Sequence, residues 1–415
     1  METLPPVGTR KEYEQVVKIL QEHNNINANT VSAMDGSPRL LWASKNGHEA
    51  VVRALLRRRK GVPSIGDPKD CRTALSLAAE NGHEQVVSIL LQQSDDPDIG
   101  NPEDLRTALS LATQNGHAGV VEVLRKWSDS DLNIADSQCG RTPLSLAIQN
   151  GYEGVVRKLL ERSDVNPNTA DTECGRTPLS WAAENGDEGV VRLLLERNDI
   201  DPNIADAQSG RTPLSLAVEN GREGVVRMLL ERNDIDPNMA DAQSGRTPLR
   251  LAVENRHEGV VRILVGRDNV DPNIGGSKGG QAPLLWAARN GHEGAVRILM
   301  ERGDVDPNIS DPNDSRTPLW WAAKNGHEWV VRALLERKDV KPNIAEIESR
   351  QTPLLIAVRY RHEKIVKLLL QREDVDPNIT DTMYGQTPLA WASDSSAGLG
   401  ILRLLLERPD TDVNL

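Results

Sequence analysis

The fold of this chain is decided by one 35-residue segment, residues 175–209, which reads GRTPLSWAAENGDEGVVRLLLERNDIDPNIADAQS. Its Thr-Pro step predicts the start of a helix, because threonine caps helix N-termini and proline is tolerated at the first helical position. The Asn-Gly pair at 185–186 predicts the end of that helix, since glycine adopts left-handed backbone easily. The Val-Val-x-x-Leu-Leu stripe at 190–195 predicts a second, amphipathic helix. Asp-Pro-Asn at 201–203 stops it, so the segment is a helix–turn–helix followed by a polar hairpin turn.

The same segment recurs along the chain at intervals of 35 residues, with one interval of 34. Its Thr-Pro-Leu anchor begins at Thr142, Thr177, Thr212, Thr247, Thr317, Thr352 and Thr387. Variants of the anchor stand at Pro38, Thr73, Thr107 and Ala282. Eleven units in phase predict an all-α solenoid over residues 36–415, because stacked repeats bury their apolar faces against their neighbours. Residues 1–35 are expected to form a partial N-terminal repeat or cap.

Composition and charge argue against several classes of protein. The net charge of −12 and the pI near 5.3 disfavour a nucleic-acid partner, which would require a basic stripe. No stretch approaches the ~18 apolar residues of a membrane span, and no N-terminal stretch resembles a signal peptide. We therefore expect a cytoplasmic or nuclear monomer that is not secreted and binds neither nucleic acid nor membrane.

These motifs resemble the ankyrin family over nearly the whole chain. The family's Thr-Pro-Leu-His-x-Ala-Ala appears here as Thr-Pro-Leu-Ser-Leu-Ala at 212–217, and its Asp-x-Asn as Asp-Pro-Asn at 306–308. The usual histidine is missing, and each unit is two residues longer than the family's 33. Similar high-identity arrays are common in fungal multidomain proteins. The resemblance implies stacked helix pairs with projecting hairpin loops, in a curved solenoid whose concave side usually binds proteins.

No catalytic, cofactor or metal site emerges from the residues that carry chemistry. Seven histidines occupy one turn slot, one per layer, and layers ~8–10 Å apart are too distant for ligands that zinc holds at ~2 Å. We interpret them as structural. Cys139 and Cys174 occupy the same slot in adjacent units, beyond the ~7 Å Cα limit of a disulfide. The Gly-rich run at 275–280 lacks the spacing of a phosphate-binding loop. We therefore predict no enzyme activity and no cofactor.

Differences between units indicate where function lies. Most units carry arginine just before the anchor threonine and, in early and middle units, glutamate seven residues after it. We expect these two residues to neutralise each other. In later units the glutamate slot becomes Arg289, Lys324 and Arg359, and the slot three after the threonine becomes Leu285, Trp320 and Leu355. The predicted partner-binding residues are Leu285, Arg289, Trp320, Lys324, Leu355 and Arg359.

If the stack is regular, the apolar residues form a row along the concave face and the basic residues flank it. Such a face suits an acidic, amphipathic segment of a partner protein, with Trp320 as a binding hot spot whose loss leaves the fold intact. The alternative for the apolar row is simple packing between layers. We interpret the chain as a non-catalytic interaction scaffold. The alternatives are a mechanical spacer, the C-terminal recognition segment of a larger multidomain signalling protein and, remotely, an enzyme.

Two units depart from the glycine that ends the first helix. Arg256 and Arg361 stand in that slot, where left-handed backbone costs a non-glycine residue on the order of 1 kcal/mol. Asn255 is expected to relieve the first site by taking the left-handed position itself. Tyr360 replaces asparagine at the second site, so the unit around Arg361 is expected to be less stable.

Overall fold

The first helix of most layers begins at a threonine cap, as the sequence predicts. The exceptions include Ala282, which makes no side-chain cap, and Thr107, which lies inside the helix Pro102–Gln114. The Ser215 amide donates to Thr212 Oγ1 at 3.3 Å, and Pro213 is the first helical residue. In a later unit the Trp320 amide donates in the same way to Thr317 Oγ1, at 3.2 Å. Each cap satisfies one of the backbone donors that a helix start leaves unpaired. The helices with such a cap therefore begin at the same register, one residue after the threonine.

The computed structural model describes residues 39–56, 72–92, 102–127, 132–133, 135, 140–276, 281–311, 314–393 and 399–413. Within them every regular element is an α-helix, which confirms the all-α prediction, and none of these helices is long and apolar enough to cross a membrane. The predicted partial repeat at 1–35 lies outside the described residues.

The chain divides into two compact units, residues 1–201 and 202–415. The helices of the first unit are Arg39–Lys45, Glu49–Leu56, Ala74–Glu80, Glu84–Gln92, Pro102–Gln114, Ala118–Trp127, Pro143–Gln149, Glu153–Leu160, Pro178–Asn185 and Glu188–Leu195. Those of the second unit are Pro213–Glu219, Glu223–Leu230, Pro248–Glu254, Glu258–Val265, Pro283–Asn290, Glu293–Met300, Pro318–Asn325, Glu328–Leu335, Pro353–Arg359, Glu363–Leu370, Pro388–Ser393 and Leu399–Leu406.

Inside each unit the helix pairs stack in layers. The helix Pro318–Asn325 packs against Pro283–Asn290 on one side and Pro353–Arg359 on the other, and the second helices stack in the same way. The alanines of the anchor motif are fully buried, for example Ala287 and Ala322. A small side chain at this slot allows neighbouring helices to approach closely, so the core is a thin apolar layer repeated along the stack.

In most layers an arginine after the second helix ties the layer to the preceding one. Arg302 Nη1 donates to the Val265 and Arg267 carbonyls, both at 2.9 Å, and Nη2 donates to the Val270 carbonyl at 2.9 Å. The same guanidinium forms two hydrogen bonds to the Asp304 carboxylate, at 2.6 and 2.8 Å. Because the fork is planar and has five N–H donors, one side chain satisfies carbonyls that the preceding helix end leaves unpaired.

The turn between the two helices keeps its geometry even without glycine. Arg256 and Arg361 have φ angles of 61° and 62°, close to 67° at Gly291, so the predicted left-handed backbone is confirmed. The expectation for Asn255 is wrong, because its φ is −84° and Arg256 takes the left-handed position. The Asn255 amide is held by the Leu251 carbonyl at 3.0 Å, so the helix extends through it and leaves the reversal to the next residue.

Candidate functional site

In the early and middle layers the arginine before the anchor threonine pairs with the glutamate seven residues after it. The nitrogen–oxygen distance is 2.6 Å for Arg72–Glu80 and 2.5 Å for Arg211–Glu219. The remaining pairs of this kind are Arg176–Glu184 at 2.5 Å and Arg246–Glu254 at 3.4 Å. The prediction that these charges neutralise each other is confirmed for these four pairs.

In the later layers the same slot carries cations that lack such partners. Arg289 and Lys324 are half-buried and Arg359 is exposed. Within the described part of the chain, no carboxylate forms an ion pair with any of the three. Arg316, before the anchor threonine of the Lys324 layer, keeps partners, with Asp314 at 2.8 Å and Glu346 at 3.9 Å. We call Arg289, Arg316, Lys324 and Arg359 the basic cluster.

Two tryptophans lie beneath this cluster. The Trp320 and Trp321 rings meet edge to face, with centroids 5.1 Å apart. The Arg289 guanidinium carbon lies 4.1 Å from the Trp321 ring centroid, and Lys324 Nζ lies 5.2 and 5.1 Å from the two centroids. Arg316 lies 4.7 Å from the Trp320 centroid. Arg289, Arg316 and Lys324 are therefore gathered over one aromatic pair by cation–π attraction, whereas Arg359 lies 5.4 Å from the Trp391 centroid.

The apolar row predicted beside the cations is not accessible. Leu285, Trp320 and Leu355 are 1%, 2% and 0% exposed. The expectation of an exposed row is corrected: this slot faces the space between layers, as Ser215 does in a middle layer, where it is 1% exposed. Trp320 Nε1 donates to the Gln351 carbonyl of the next layer at 3.0 Å, so this indole fastens two layers together.

The charges of the cluster act on Lys324. The pKa of the Lys324 ammonium lies below its usual value. The largest cause is partial burial, and the positive charges of Arg316, Arg289 and Arg359 lower the pKa further. The negative charge of Asp314 acts in the opposite direction. Desolvation and like charges both disfavour a protonated amine. An anion bound here would offset the repulsion between the cations.

Histidines of the turn slot hold the backbone that carries these cations. His327 Nε2 hydrogen-bonds to the Arg289 carbonyl at 3.1 Å, and His362 Nε2 to the Lys324 carbonyl at 3.0 Å. Asn325 Nδ2 also donates to the Arg289 carbonyl, at 2.7 Å. The histidines thus have the structural role that their spacing predicts. Over the described residues, no group of three His, Cys, Asp or Glu side chains is arranged to hold a metal ion.

Sequence reasoning missed Tyr360, Trp321 and Arg316 as members of this site. Tyr360 is 48% exposed, its ring centroid lies 6.0 Å from Lys324 Nζ, and it stacks on His362. Its replacement of asparagine is visible in the sequence, but there it predicts only a less stable turn and not a binding residue. Arg316 carried no signal, because arginine fills that slot in most units.

Comparison with known proteins assigns a family to nearly the whole chain. A family model described as "Ankyrin repeats (3 copies)" matches overlapping stretches that together span residues 9–415. A comparison with curated proteins finds no match. Ankyrin repeats are generally modules for protein–protein interaction and are typically non-catalytic. The chain belongs to the ankyrin-repeat family.

Proposed function

We propose that the chain is a non-catalytic interaction scaffold that binds an acidic segment of a partner protein at the basic cluster. The observation that carries the proposal is the contrast between layers. Where the slot holds Glu219 its charge is cancelled by Arg211, whereas Lys324 in the same slot is surrounded by further cations. Uncompensated charge that is partly desolvated is costly to the free protein, and a partner's carboxylates remove that cost.

The partner's apolar side chains have a smaller role than the sequence predicts. Because Leu285, Trp320 and Leu355 are buried, they support the face from below and do not contact a partner. Tyr360 is the exposed aromatic side chain beside the cluster. An amphipathic acidic segment would place one apolar group against Tyr360 and its carboxylates along Arg289, Lys324 and Arg359.

Charge reversal tests the proposal. The bait is the full chain with Arg289, Lys324 and Arg359 changed to glutamate. The control bait carries Arg227→Glu, Arg262→Glu and Lys367→Glu, which change exposed cations on second helices and give the same net charge. We expect the cluster variant to lose, and the control to keep, the partner captured by the parent chain. Lys324→Glu alone should slow association of the identified partner by roughly tenfold at low salt. Equal capture by both triple variants would refute the proposed site.

A further inference from the structure

The site has more hydrogen-bond donors than acceptors. Arg316 Nε, Trp321 Nε1 and Gln351 Nε2 are buried and find no acceptor among the described residues. The indole of Trp391, in the slot that Trp321 fills two layers earlier, donates to Asp381 Oδ2 at 2.6 Å. In the Trp321 layer the corresponding Asp311 accepts instead from Gln281 Nε2, at 2.8 Å. Within the described part of the chain, Arg211 Nε and Trp286 Nε1 are unpaired in other layers as well, and Gln281 Oε1 is a buried acceptor without a donor, so the cations are what set this site apart.

The cations are also arranged for a compact anion. Arg289 and Lys324 lie over the same Trp321 ring, and Arg316 lies 5.4 Å from its centroid. Stacking on the ring restrains the Arg289 guanidinium, and neither a hydrogen bond nor an ion pair links that side chain to another described residue. A guanidinium held in this way can present its N–H edge as a fork to a planar or tetrahedral oxyanion.

We propose that the basic cluster binds a phosphate monoester on the partner segment. The inference rests on the proposed function and names the group recognised at the same site. A carboxylate has one negative charge and two oxygens, whereas a phosphate monoester has about −1.5 to −2 at pH 7 and three strong acceptor oxygens. Facing Arg289 and Lys324, which have no ion-pair partner among the described residues, the phosphate compensates more positive charge than a carboxylate does.

A phosphorylated protein segment is favoured over other phosphate-bearing partners. The chain carries a net charge of −12, so a nucleic acid or an anionic membrane would meet long-range repulsion outside this one face. A peptide places a single phosphate on the cluster without bringing a second large array of negative charge near the rest of the chain.

Three labelled peptides of identical sequence test the inference, with serine, phosphoserine or glutamate at the centre of an acidic stretch. Binding to the full chain is measured by fluorescence anisotropy at constant ionic strength. We expect the phosphoserine peptide to bind roughly tenfold more tightly than the glutamate peptide. Lys324→Gln and Arg289→Gln should abolish the difference. Lys367→Gln, which removes an exposed cation from a second helix, should preserve it. Circular dichroism confirms that each variant is folded.

The outcomes separate this inference from the proposed function. Equal affinity for the glutamate and phosphoserine peptides overturns the phosphate inference but remains consistent with binding of an acidic segment. Failure of both peptides to bind also overturns it, while the charge-reversal capture experiment still decides the proposed site. Tighter binding to single-stranded RNA or to phosphoinositide vesicles, with the same dependence on Lys324, would assign the phosphate to another class of partner and refute the phosphopeptide.

Discussion

At the scale of single residues, the backbone of Arg361 is held in a conformation that its side chain disfavours. Its amide donates to the Val358 carbonyl at 3.0 Å, and the next amide, of His362, donates to the Ala357 carbonyl at 2.9 Å. These two bonds close the end of the helix and impose the φ of 62° whichever residue is present. Glycine adopts this conformation without steric cost, and arginine does not.

Arg361→Gly should therefore raise the free energy of unfolding by about 1 kcal/mol. The matched control is Arg332→Gly, in the middle of the helix Glu328–Leu335, where glycine should lower stability by about 1 kcal/mol. Urea unfolding followed by circular dichroism measures both. A loss of stability in Arg361→Gly would show that the arginine side chain makes a compensating contact.

Because Trp320 is buried, its replacement by alanine is expected to affect stability. Trp320→Ala leaves a cavity between two layers and unpairs the Gln351 carbonyl, so it should lower the free energy of unfolding by about 3–5 kcal/mol. Trp320→Leu, which reproduces the residue of the flanking Leu285 and Leu355 layers, should cost less. The expectation that this alanine variant keeps the fold intact is thus replaced. Equal urea midpoints for Trp320→Ala and the parent chain would contradict the structural role.

At the scale of elements, the arginine that follows most second helices joins successive layers within a unit. Arg372 repeats the contacts of Arg302, donating to the Leu335, Arg337 and Val340 carbonyls at 2.9–3.2 Å. An asparagine in the following loop adds a second link, since Asn308 Nδ2 donates to the Asp339 carbonyl at 2.8 Å. The stack is therefore fastened by directional bonds at the loop edge as well as by the apolar core.

Arg302→Lys should lower the free energy of unfolding by about 1–3 kcal/mol. Lysine keeps the charge, but its ammonium lacks the planar fork with which the guanidinium contacts three carbonyls and a carboxylate at once. Arg262→Lys, at an exposed position in the preceding layer, is the control and should change stability by less than about 0.5 kcal/mol. Chemical denaturation of the two variants side by side makes the comparison. Similar losses in both would mean that the carbonyl contacts contribute nothing specific.

At the scale of the whole molecule, the arginine–aspartate pairs make stability depend on pH. Hydrogen bonds from the adjacent arginine hold the pKa of each paired aspartate below its usual value. These aspartates are Asp164, Asp199, Asp234, Asp304, Asp339, Asp374 and Asp410. A folded-state pKa below the unfolded value of about 3.9 means that the unfolded chain binds protons more readily. The contribution to stability is therefore complete above that value and lost as pH falls through the lower, folded pKa.

The urea midpoint should fall steadily below pH 4, since many weak pairs titrate together. A chain with Asp304→Asn, Asp339→Asn and Asp374→Asn should begin with a lower midpoint and lose less of it between pH 5 and 3. Unfolding curves at each pH, recorded for both chains, test this. Parallel losses in the two chains would place the acid sensitivity in other carboxylates.

The 35-residue period by itself determined the family, the helical layers and their register. Caps, helix ends and left-handed turns depend on hydrogen bonds within a few residues, so Thr317, Pro318 and Arg361 were enough to predict them. The cancellation of Arg211 by Glu219 was also predictable, because both lie in one repeat. The prediction for Asn255 was wrong because either of two adjacent residues could take the left-handed conformation. Only the backbone hydrogen bonds of the folded turn show that Arg256 takes it.

Tertiary structure alone decided which side chains a partner can reach. The slots of Trp320 and Lys324 are one helical turn apart, and their spacing cannot show which of them the next layer covers. Gln351 of that layer accepts the Trp320 indole and closes the slot, while the Lys324 ammonium stays at the surface over the rings. Burial depends on the surface of a neighbouring repeat, and charge compensation depends on side chains from several repeats meeting in space. Neither quantity is encoded in a single unit.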